Sequence, residues 1–356
     1  MKKDNSMNEK IVIIDLLYMG DLIFATPFFR QLKKNYPESQ IDFIVNSNFY
    51  ELIEESPYFD NIYPYDKNWS IKKSWKFARE LKENNYDLGI NIHGNWRTIL
   101  LMYLIDADFN IGYGGDGKGL FLDKVIETDA RQHMVQSYLQ FLEKMGLHRF
   151  DNDQIELFIN QKAKKNMKNL LNEKIGKDNK QRLKRNDKRL IALNTGGTWA
   201  TKRWPKEKFA KLADKLKAKG EEVLFLGGPS DVERVKEIIT LMENKEVINV
   251  AGKTTLKELA ALTEKCDLVI SNDSGPIHVS AAVGTSTIAI FGPSDEKKFR
   301  PYGSKHKIVK TDIDCRPCGE HECPLGHHNC MNEIKVNDVI KQIYGQVEGS
   351  GNLYGS

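Results

Sequence analysis

The sequence predicts an α/β protein made of two doubly wound domains in tandem. Three observations predict it. Short apolar, β-branched runs alternate with helical spacing from Ile11 to Met145, the alternation restarts at Leu190, and in both halves the turns after strands are rich in glycine and small polar residues. Alternating strands and helices imply parallel strands joined by helical crossovers. A run such as Ile11-Val12-Ile13-Ile14 suits a strand buried on both faces of such a sheet. The chain has 356 residues, enough for two cores.

The first half reads as follows. Ile11 to Ile14 is a strand and Leu17 to Asp21 a loop. Leu22 to Asn35 has helical spacing (Ile23, Phe24, Pro27, Phe28, Leu32), with Asp21 as its N-cap and Pro27 expected to kink it or delay its start. Ile41–Val45 is a strand, Phe49–Glu55 a short helix and Asn61–Tyr63 a short strand. Lys72–Asn84 is an amphipathic helix, and Leu88–Ile92 a strand ending at His93-Gly94-Asn95. A helix over Thr98–Ile105, a strand over Phe109–Gly112, a glycine-rich loop over Gly114–Gly119 and a helix over His133–Met145 complete it.

Residues 161–189 are strongly basic and lack apolar strands. They read as a solvated helix and linker, or as a surface favouring an anionic membrane or acceptor. The pattern then restarts with a strand at Leu190–Leu193 and the loop Asn194-Thr195-Gly196-Gly197-Thr198. Trp204-Pro205 opens a helix over Lys206–Lys219, ended by Gly220. Val223–Leu226 is a strand, followed by Gly227-Gly228-Pro229 and a helix over Ser230–Met242. Val247–Asn249 is a short strand and Leu256–Thr263 a helix. Residues 334–344 are a last helix, and 345–356 a tail. The expected domains are 1–160, a basic linker 161–189, 190–333, and a C-terminal helix and tail 334–356. Two such domains would place a ligand cleft between them.

The stretch Cys266–Asp295 carries the most chemistry. It reads as a strand (Leu268–Ile270), a helix over Ile277–Val283 and a second strand (Thr287–Phe291). Asp273 or Ser274 suits the N-cap and Pro276 the first turn. Such a helix start presents free N–H groups and the positive end of a dipole, a seat for phosphate. Gly275 would let a ligand approach the backbone.

The bulk numbers exclude several classes. The composition, 40% hydrophobic and 29% charged, is that of an ordinary globular protein. A net charge of +4 does not by itself point to nucleic acid. No apolar run is long enough to span a membrane. Asp15 and Asp21 interrupt the only stretch resembling a signal peptide, so a cytoplasmic protein is expected. Four of the five cysteines, Cys315, Cys318, Cys323 and Cys330, cluster with His321, His327 and His328. Four close thiols suit a structural zinc or an Fe–S cluster, although the spacing fits no standard zinc motif. Reduced free thiols are the alternative.

Several motifs, in this order, resemble those of glycosyltransferase family 9, the ADP-heptose–lipopolysaccharide heptosyltransferases. They are Tyr18-Met19-Gly20-Asp21, Thr201-Lys202-Arg203-Trp204-Pro205, Gly227-Gly228-Pro229 with Glu233-Arg234, and Gly252-Lys253-Thr254-Thr255-Leu256. Asn272-Asp273-Ser274-Gly275-Pro276-Ile277-His278 and Phe291-Gly292-Pro293 complete the set. The Lys-Arg-Trp-Pro form and the cysteines look closer to enzymes that add the second heptose. The resemblance implies a GT-B fold: two facing Rossmann-like domains, the acceptor on the first and the donor nucleotide on the second. It implies inverting transfer of heptose from ADP-heptose to a lipid-linked core oligosaccharide at the inner membrane face, without a metal cofactor and without nucleic acid. The alternatives are transfer to another surface glycan or a protein, or a sugar-nucleotide-binding protein without turnover.

The same resemblance places roles on residues. Asp21 matches the base and Lys202 the lysine that contacts the donor diphosphate. A base takes the acceptor proton, and a cation stabilises the departing diphosphate. Thr195, Thr198, Glu233, Thr254, Asp273, Ser274, Gly275 and His278 are the donor-site candidates, Glu233 for the ribose hydroxyls. His93, Asn95, Arg97, Lys118 and Arg131 are acceptor candidates, since a phosphate-rich acceptor favours cations. The plainer readings are helix caps and solvated charges. A helix N-terminus would also lower the basicity of Asp21.

Overall fold

The computed structural model describes residues 9–114, 117–129, 131–150, 152–175 and 188–345. Residues 176–187 of the basic linker, Gly115 and Asp116 of the glycine-rich loop, residues 346–356 of the tail and the side chain of Lys118 lie outside the described residues. The chain divides into two compact units, Met1–Gln161 and Lys162–Ser356.

The first unit holds six strands: β1 (Lys10–Asp15), β2 (Gln40–Asn46), β3 (Asn61–Tyr65), β4 (Leu88–Asn91), β5 (Phe109–Gly112) and β6 (Lys124–Val125). They pair in parallel in the order β3-β2-β1-β4-β5-β6. This is the doubly wound order with its switch point between β1 and β4. The β-branched run of β1 explains its central place, since Ile11, Val12, Ile13 and Ile14 are all 0% exposed. Pro64 is accommodated in β3 because that strand is at the sheet edge.

The expected helix over Leu22–Asn35 is two helices, α1 (Met19–Phe24) and α2 (Thr26–Asn35). Pro27 explains the break, because it lies in the first turn of α2, where no N–H is needed. Asp21 is therefore not the N-cap. Tyr18 holds that position, and Asp21 is the third residue of α1. The helices after β3 and β4 are α4 (Ile71–Lys82), preceded by the short α3 (Tyr50–Ile53), and α5 (Trp96–Ile105). Then comes α6 (Met134–Met145), N-capped by His133, whose Nδ1 accepts the Val135 N–H at 3.2 Å.

The second unit repeats the plan. It begins with α7 (Gln161–Ile175), the described part of the basic stretch, which buries Ala163, Met167 and Leu171 at helical spacing and pairs Lys164 with Glu264 at 3.1 Å. Its strands are β7 (Leu190–Asn194), β8 (Glu222–Leu226), β9 (Ile248–Asn249), β10 (Leu268–Asn272), β11 (Thr287–Phe291) and β12 (Lys307–Lys310). All are parallel, in the order β12-β11-β10-β7-β8-β9, with the switch point between β7 and β10. The crossovers are α8 (Lys206–Ala218), α9 (Val232–Leu241), α10 (Leu256–Thr263) and α11 (Gly275–Ala282). Short edge elements at β6, β12 and α12 (Glu296–Phe299) were too brief to show a period in the sequence. Trp204 is 0% exposed, and its indole N–H donates to the Ile334 carbonyl at 3.1 Å, tying α8 to the C-terminal segment. Among the described residues no helix is long and apolar enough to cross a membrane.

Candidate active site

Most of the candidate residues follow the carboxyl ends of the strands that flank each switch point, where ligands of doubly wound folds bind, whereas Lys118 and Arg131 come after β5 and β6, Glu233 after β8 and Thr254 after β9. In the first unit the flanking loops are those after β1 and β4. The loop after β1 presents three successive amides. Leu16 N–H donates to His93 Nδ1 (3.1 Å), Leu17 N–H to Asp15 Oδ1 (2.8 Å) and Tyr18 N–H to Asp21 Oδ2 (3.4 Å). The other ring nitrogen of His93, Nε2, lies 2.7 Å from Asn95 Nδ2. Burial holds the His93 imidazole down at about 4, with nearby Lys67 adding to the effect. Asn95 also N-caps α5, its Oδ1 accepting the Thr98 N–H at 2.9 Å. Arg97 is exposed and its guanidinium donates to the Lys67 carbonyl. Lys67 itself is half-buried, and desolvation lowers its proton affinity.

Arg131 stands apart in kind. It is 91% exposed in its side chain and grips Asp129 with Nε and a terminal nitrogen at 3.1 and 3.2 Å. That bidentate pair raises Arg131 and lowers Asp129 in proton affinity, chiefly through the hydrogen bonds between them. An acceptor anion would have to displace Asp129.

In the second unit the loops after β7 and β10 are stitched together by asparagines. Asn272 Nδ2 donates to the carbonyls of Thr195 and Gly196, both at 2.9 Å, and its Oδ1 accepts the Trp204 N–H at 3.1 Å. Asn194 Nδ2 donates to Ser271 Oγ and Ser274 Oγ, both at 2.9 Å. Ser274 is the N-cap of α11, and its hydroxyl is spent on these contacts rather than on the helix N–H groups. Pro276 has no N–H and the Ile277 N–H donates to the Ser274 carbonyl at 3.1 Å, which leaves the Gly275 amide, with the helix dipole, for a ligand.

Lys202 Nζ lies 2.7 Å from Asp273 Oδ2, an ion pair by distance whose approach is off the line a hydrogen bond needs. The same ammonium sits 4.4 Å from the Trp199 ring centroid. Arg234 fixes the neighbouring backbone, donating to the carbonyls of Thr195 (3.0 Å) and Trp204 (2.6 Å). Thr195 is buried with its hydroxyl unpartnered, Thr198 is exposed and Thr254 half-buried in the turn before α10. Glu233 is in the first turn of α9, solvent-exposed and 3.2 Å from Lys236. His278 is only 4% exposed, in the first turn and a half of α11. Gly196 has a reason beyond flexibility: a Cβ there would meet the Asp231 carboxylate at 2.5 Å.

The cysteine segment docks beside Lys202. Thr201 Oγ1 donates to the Glu320 carbonyl at 2.9 Å, and His328 Nε2 donates to the Thr201 carbonyl at 2.6 Å. Trp199 stacks on His321 with centroids 3.8 Å apart. All four thiols, Cys315, Cys318, Cys323 and Cys330, line one small pocket with Thr201. All five cysteines are free thiols, and among the described residues no group of three or more His, Cys, Asp or Glu is arranged to hold a metal ion.

The structure brings Asp21, His93, Asn95 and Arg97 together in one unit and Lys202, Asp273, Ser274, Gly275 and Thr195 in the other. Sequence reasoning missed Asp15, Lys67, Thr201 and His328 as members of these groups. Asp15 was visible only as a break in an apolar run, and Lys67 had no local signal.

The comparisons agree with this architecture. Residues 74–329 match the family model described as glycosyltransferase family 9 (heptosyltransferase). Lipooligosaccharide heptosyltransferase 2 of Campylobacter jejuni is 28% identical over 96% of this chain and 99% of its own length. The crystal structure of a family 9 glycosyl transferase from Veillonella parvula superposes with a TM-score of 0.85 at 29% identity, covering 96% of this chain and 97% of that one. That of Escherichia coli ADP-heptose lps heptosyltransferase II gives a TM-score of 0.75 at 23% identity, covering 94% and 97%. With the two doubly wound units of the GT-B plan and a family model that spans most of its length, the chain belongs to glycosyltransferase family 9, the heptosyltransferases.

Proposed function

We propose that the protein transfers heptose from ADP-heptose to a lipid-linked core oligosaccharide of lipopolysaccharide, with inversion and without a metal ion. The observation that carries this reading is Lys202, held against Asp273 beside the N-terminus of α11. Together they offer a cation and a helix dipole to a diphosphate, the two things a metal would otherwise supply. The names of the Campylobacter and Escherichia relatives support the sugar and the nucleotide. In this reading Asp21 takes the proton from the acceptor hydroxyl. The acceptor oxygen bonds the anomeric carbon, and the bond to ADP breaks with its electron pair. Lys202 and the N-terminus of α11, with its Gly275 amide, stabilise the charge that gathers on ADP. Thr195, Thr198, Thr254, Glu233 and His278 surround the nucleotide and sugar, while His93, Asn95, Arg97, Lys118 and Arg131 receive the acceptor.

ADP-heptose is expected to raise the melting temperature more than UDP- or GDP-sugars do. A ligand at a hundredfold excess over its Kd adds about 2.7 kcal/mol of stability. Transfer to defined inner-core acceptors is expected to proceed unchanged in EDTA. Equal shifts for all three nucleotides would overturn the donor, and abolition by EDTA would overturn metal independence.

The proposed place of work is the inner face of the cytoplasmic membrane. One face of α5 exposes Trp96, Leu100 and Tyr103, at 54%, 53% and 55%, and Leu120 nearby in the chain is 89% exposed. Phe121 joins them, with its ring 6.0 Å from Trp96 and 5.5 Å from Tyr103. Aromatic and aliphatic side chains displayed this way suit the interfacial zone of a bilayer. A Leu100→Ser, Leu120→Ser double variant is expected to bind vesicles of phosphatidylethanolamine and phosphatidylglycerol about tenfold more weakly, with transfer to a soluble acceptor unaltered. Undiminished co-sedimentation would sink the membrane reading.

A further inference from the structure

The two carboxyl groups held by the successive amides of Leu17 and Tyr18 flank one short loop, Asp15 at the end of β1 and Asp21 in the first turn of α1, yet their surroundings differ. Asp21 is half-buried. Asp15 is 2% exposed, and its Oδ2 has no hydrogen-bond partner. The other buried carboxylate of this sheet provides the contrast. Asp42, 0% exposed, accepts Asn61 Nδ2 at 2.9 Å on one oxygen and Tyr86 Oη at 2.6 Å on the other. A buried carboxylate oxygen without a donor is costly unless the group holds a proton or exchanges one. A second orphaned atom, Tyr138 Oη, lies in the same surroundings.

We infer that Asp15 and Asp21 act as one carboxyl pair, in which buried Asp15 sets the basicity of Asp21 and so serves as a positioning residue for deprotonation of the acceptor hydroxyl. The inference rests on Asp21 being the base, as proposed above.

Burial pushes the Asp15 carboxyl up to about 7; the Leu17 N–H opposes this, the Asp21 charge adds to it and the Lys67 charge again opposes it. The groups around the pair are Lys67 after β3, His93 after β4, Tyr113 after β5 and Tyr138 on α6, with Arg97 beside Lys67. His93 is neutral above about pH 4, and the two tyrosines keep their protons because burial raises them. Ionisation near neutrality therefore belongs to the pair and is read as a macroscopic value.

While Asp15 holds its proton, Asp21 feels the N-terminus of α1, which favours its charged form and weakens it as a base. Once Asp15 ionises, the adjacent negative charge raises the proton affinity of Asp21. The reaction itself is unchanged: the acceptor O–H proton goes to Asp21, the acceptor oxygen bonds the anomeric carbon, and ADP leaves with the electron pair.

The test is the pH profile of the single-turnover transfer rate of the full-length protein. The wild-type rate is expected to rise through pH about 7 and level off. Asp15→Asn, a near-isostere of the protonated acid, is expected to lose that rise and to stay about tenfold below wild type at pH 8, the rate equivalent of one unit of coupling. A second readout needs no turnover. The folded pKa of Asp15 is raised above the ordinary 3.8, so the stability it contributes is complete below pH 3.8 and is lost as pH rises through about 7. The melting temperature of Asp15→Asn relative to wild type should therefore climb across that window and be constant above it. His93 contributes with the opposite sign in both proteins and cancels.

A rise retained in Asp15→Asn, or a loss equal at every pH, overturns the proposal. So does a wild-type rate with no ionisation between about pH 6 and 8, which decides the matter even if the variant does not fold. Wild-type transfer by Asp21→Asn would instead remove the base itself, while the melting difference would still report the ionisation of Asp15.

Discussion

Asp21→Asn is expected to bind ADP-heptose as the wild type does and to transfer about 10²- to 10⁴-fold more slowly, the usual contribution of a positioned general base. The substitution keeps the geometry. An asparagine Oδ1 still accepts the Tyr18 N–H that Asp21 Oδ2 now receives at 3.4 Å, so the start of α1 is preserved. What disappears is the oxygen that takes the proton. The donor candidates all lie in the unit Lys162–Ser356, whereas Asp21 lies in Met1–Gln161, so nucleotide affinity is the built-in control. The check pairs calorimetric titration of donor with single-turnover transfer. Turnover at the wild-type rate would exclude Asp21 as base, and loss of donor binding would point to a folding defect instead.

Lys202→Met is the second large effect. Removing a preorganised electrostatic group from a leaving diphosphate costs about 10²- to 10³-fold in rate, and nucleotide affinity should fall with it. The variant also carries a stability penalty. The Asp273 side chain is 4% exposed and the Lys202 side chain 18% exposed, so the substitution strands a nearly buried carboxylate. Breaking such a pair costs about 3–5 kcal/mol, a figure to be discounted here because Lys202 retains some solvent contact. The double variant Lys202→Met, Asp273→Asn separates the two effects. It should recover most of the lost melting temperature and none of the lost rate. Recovery of rate with stability would mean that Lys202 only holds the loop.

Much of this was legible in the sequence, and the exceptions have physical causes. The strands β1, β7, β10 and β11 show as β-branched or apolar runs because both sheet faces are buried, which is a local compositional signal. The helix start at Gly275 showed through Ser274 and Pro276. The position of Asp21 was off by part of a turn, because Pro27 marks the start of α2 and leaves room for α1 before it. In the sequence Asn194 and Asn272 appear only as members of motifs, with no role of their own. In the fold Asn194 and Asn272 are staples between loops, and only neighbouring strands could reveal that.

Asp15 is the sharpest case. In the chain it interrupts an apolar run and argues against a signal peptide. In the fold it is the last residue of the central strand, flanked by β2 and β4, and that flanking removes its water. Burial between strands distant in sequence is what chiefly raises the carboxyl, with the Asp21 charge adding to it. His93 likewise reaches Leu16 across 77 residues.

The sequence by itself determined the element types, the repetition of a doubly wound unit, the helix start after β10 and the family. Each rests on hydrophobic period, capping chemistry or motif order, which are properties of neighbours in the chain. Only the tertiary structure decided which titratable groups meet: Asp15 with Asp21, Lys67 with the loop after β1, Lys202 with Asp273, and Thr201 with the cysteine segment. Those meetings follow from strand order at two switch points and from the loss of solvent there. Neither is encoded in any short stretch of residues, because burial and Coulomb interaction depend on distance in space rather than along the chain.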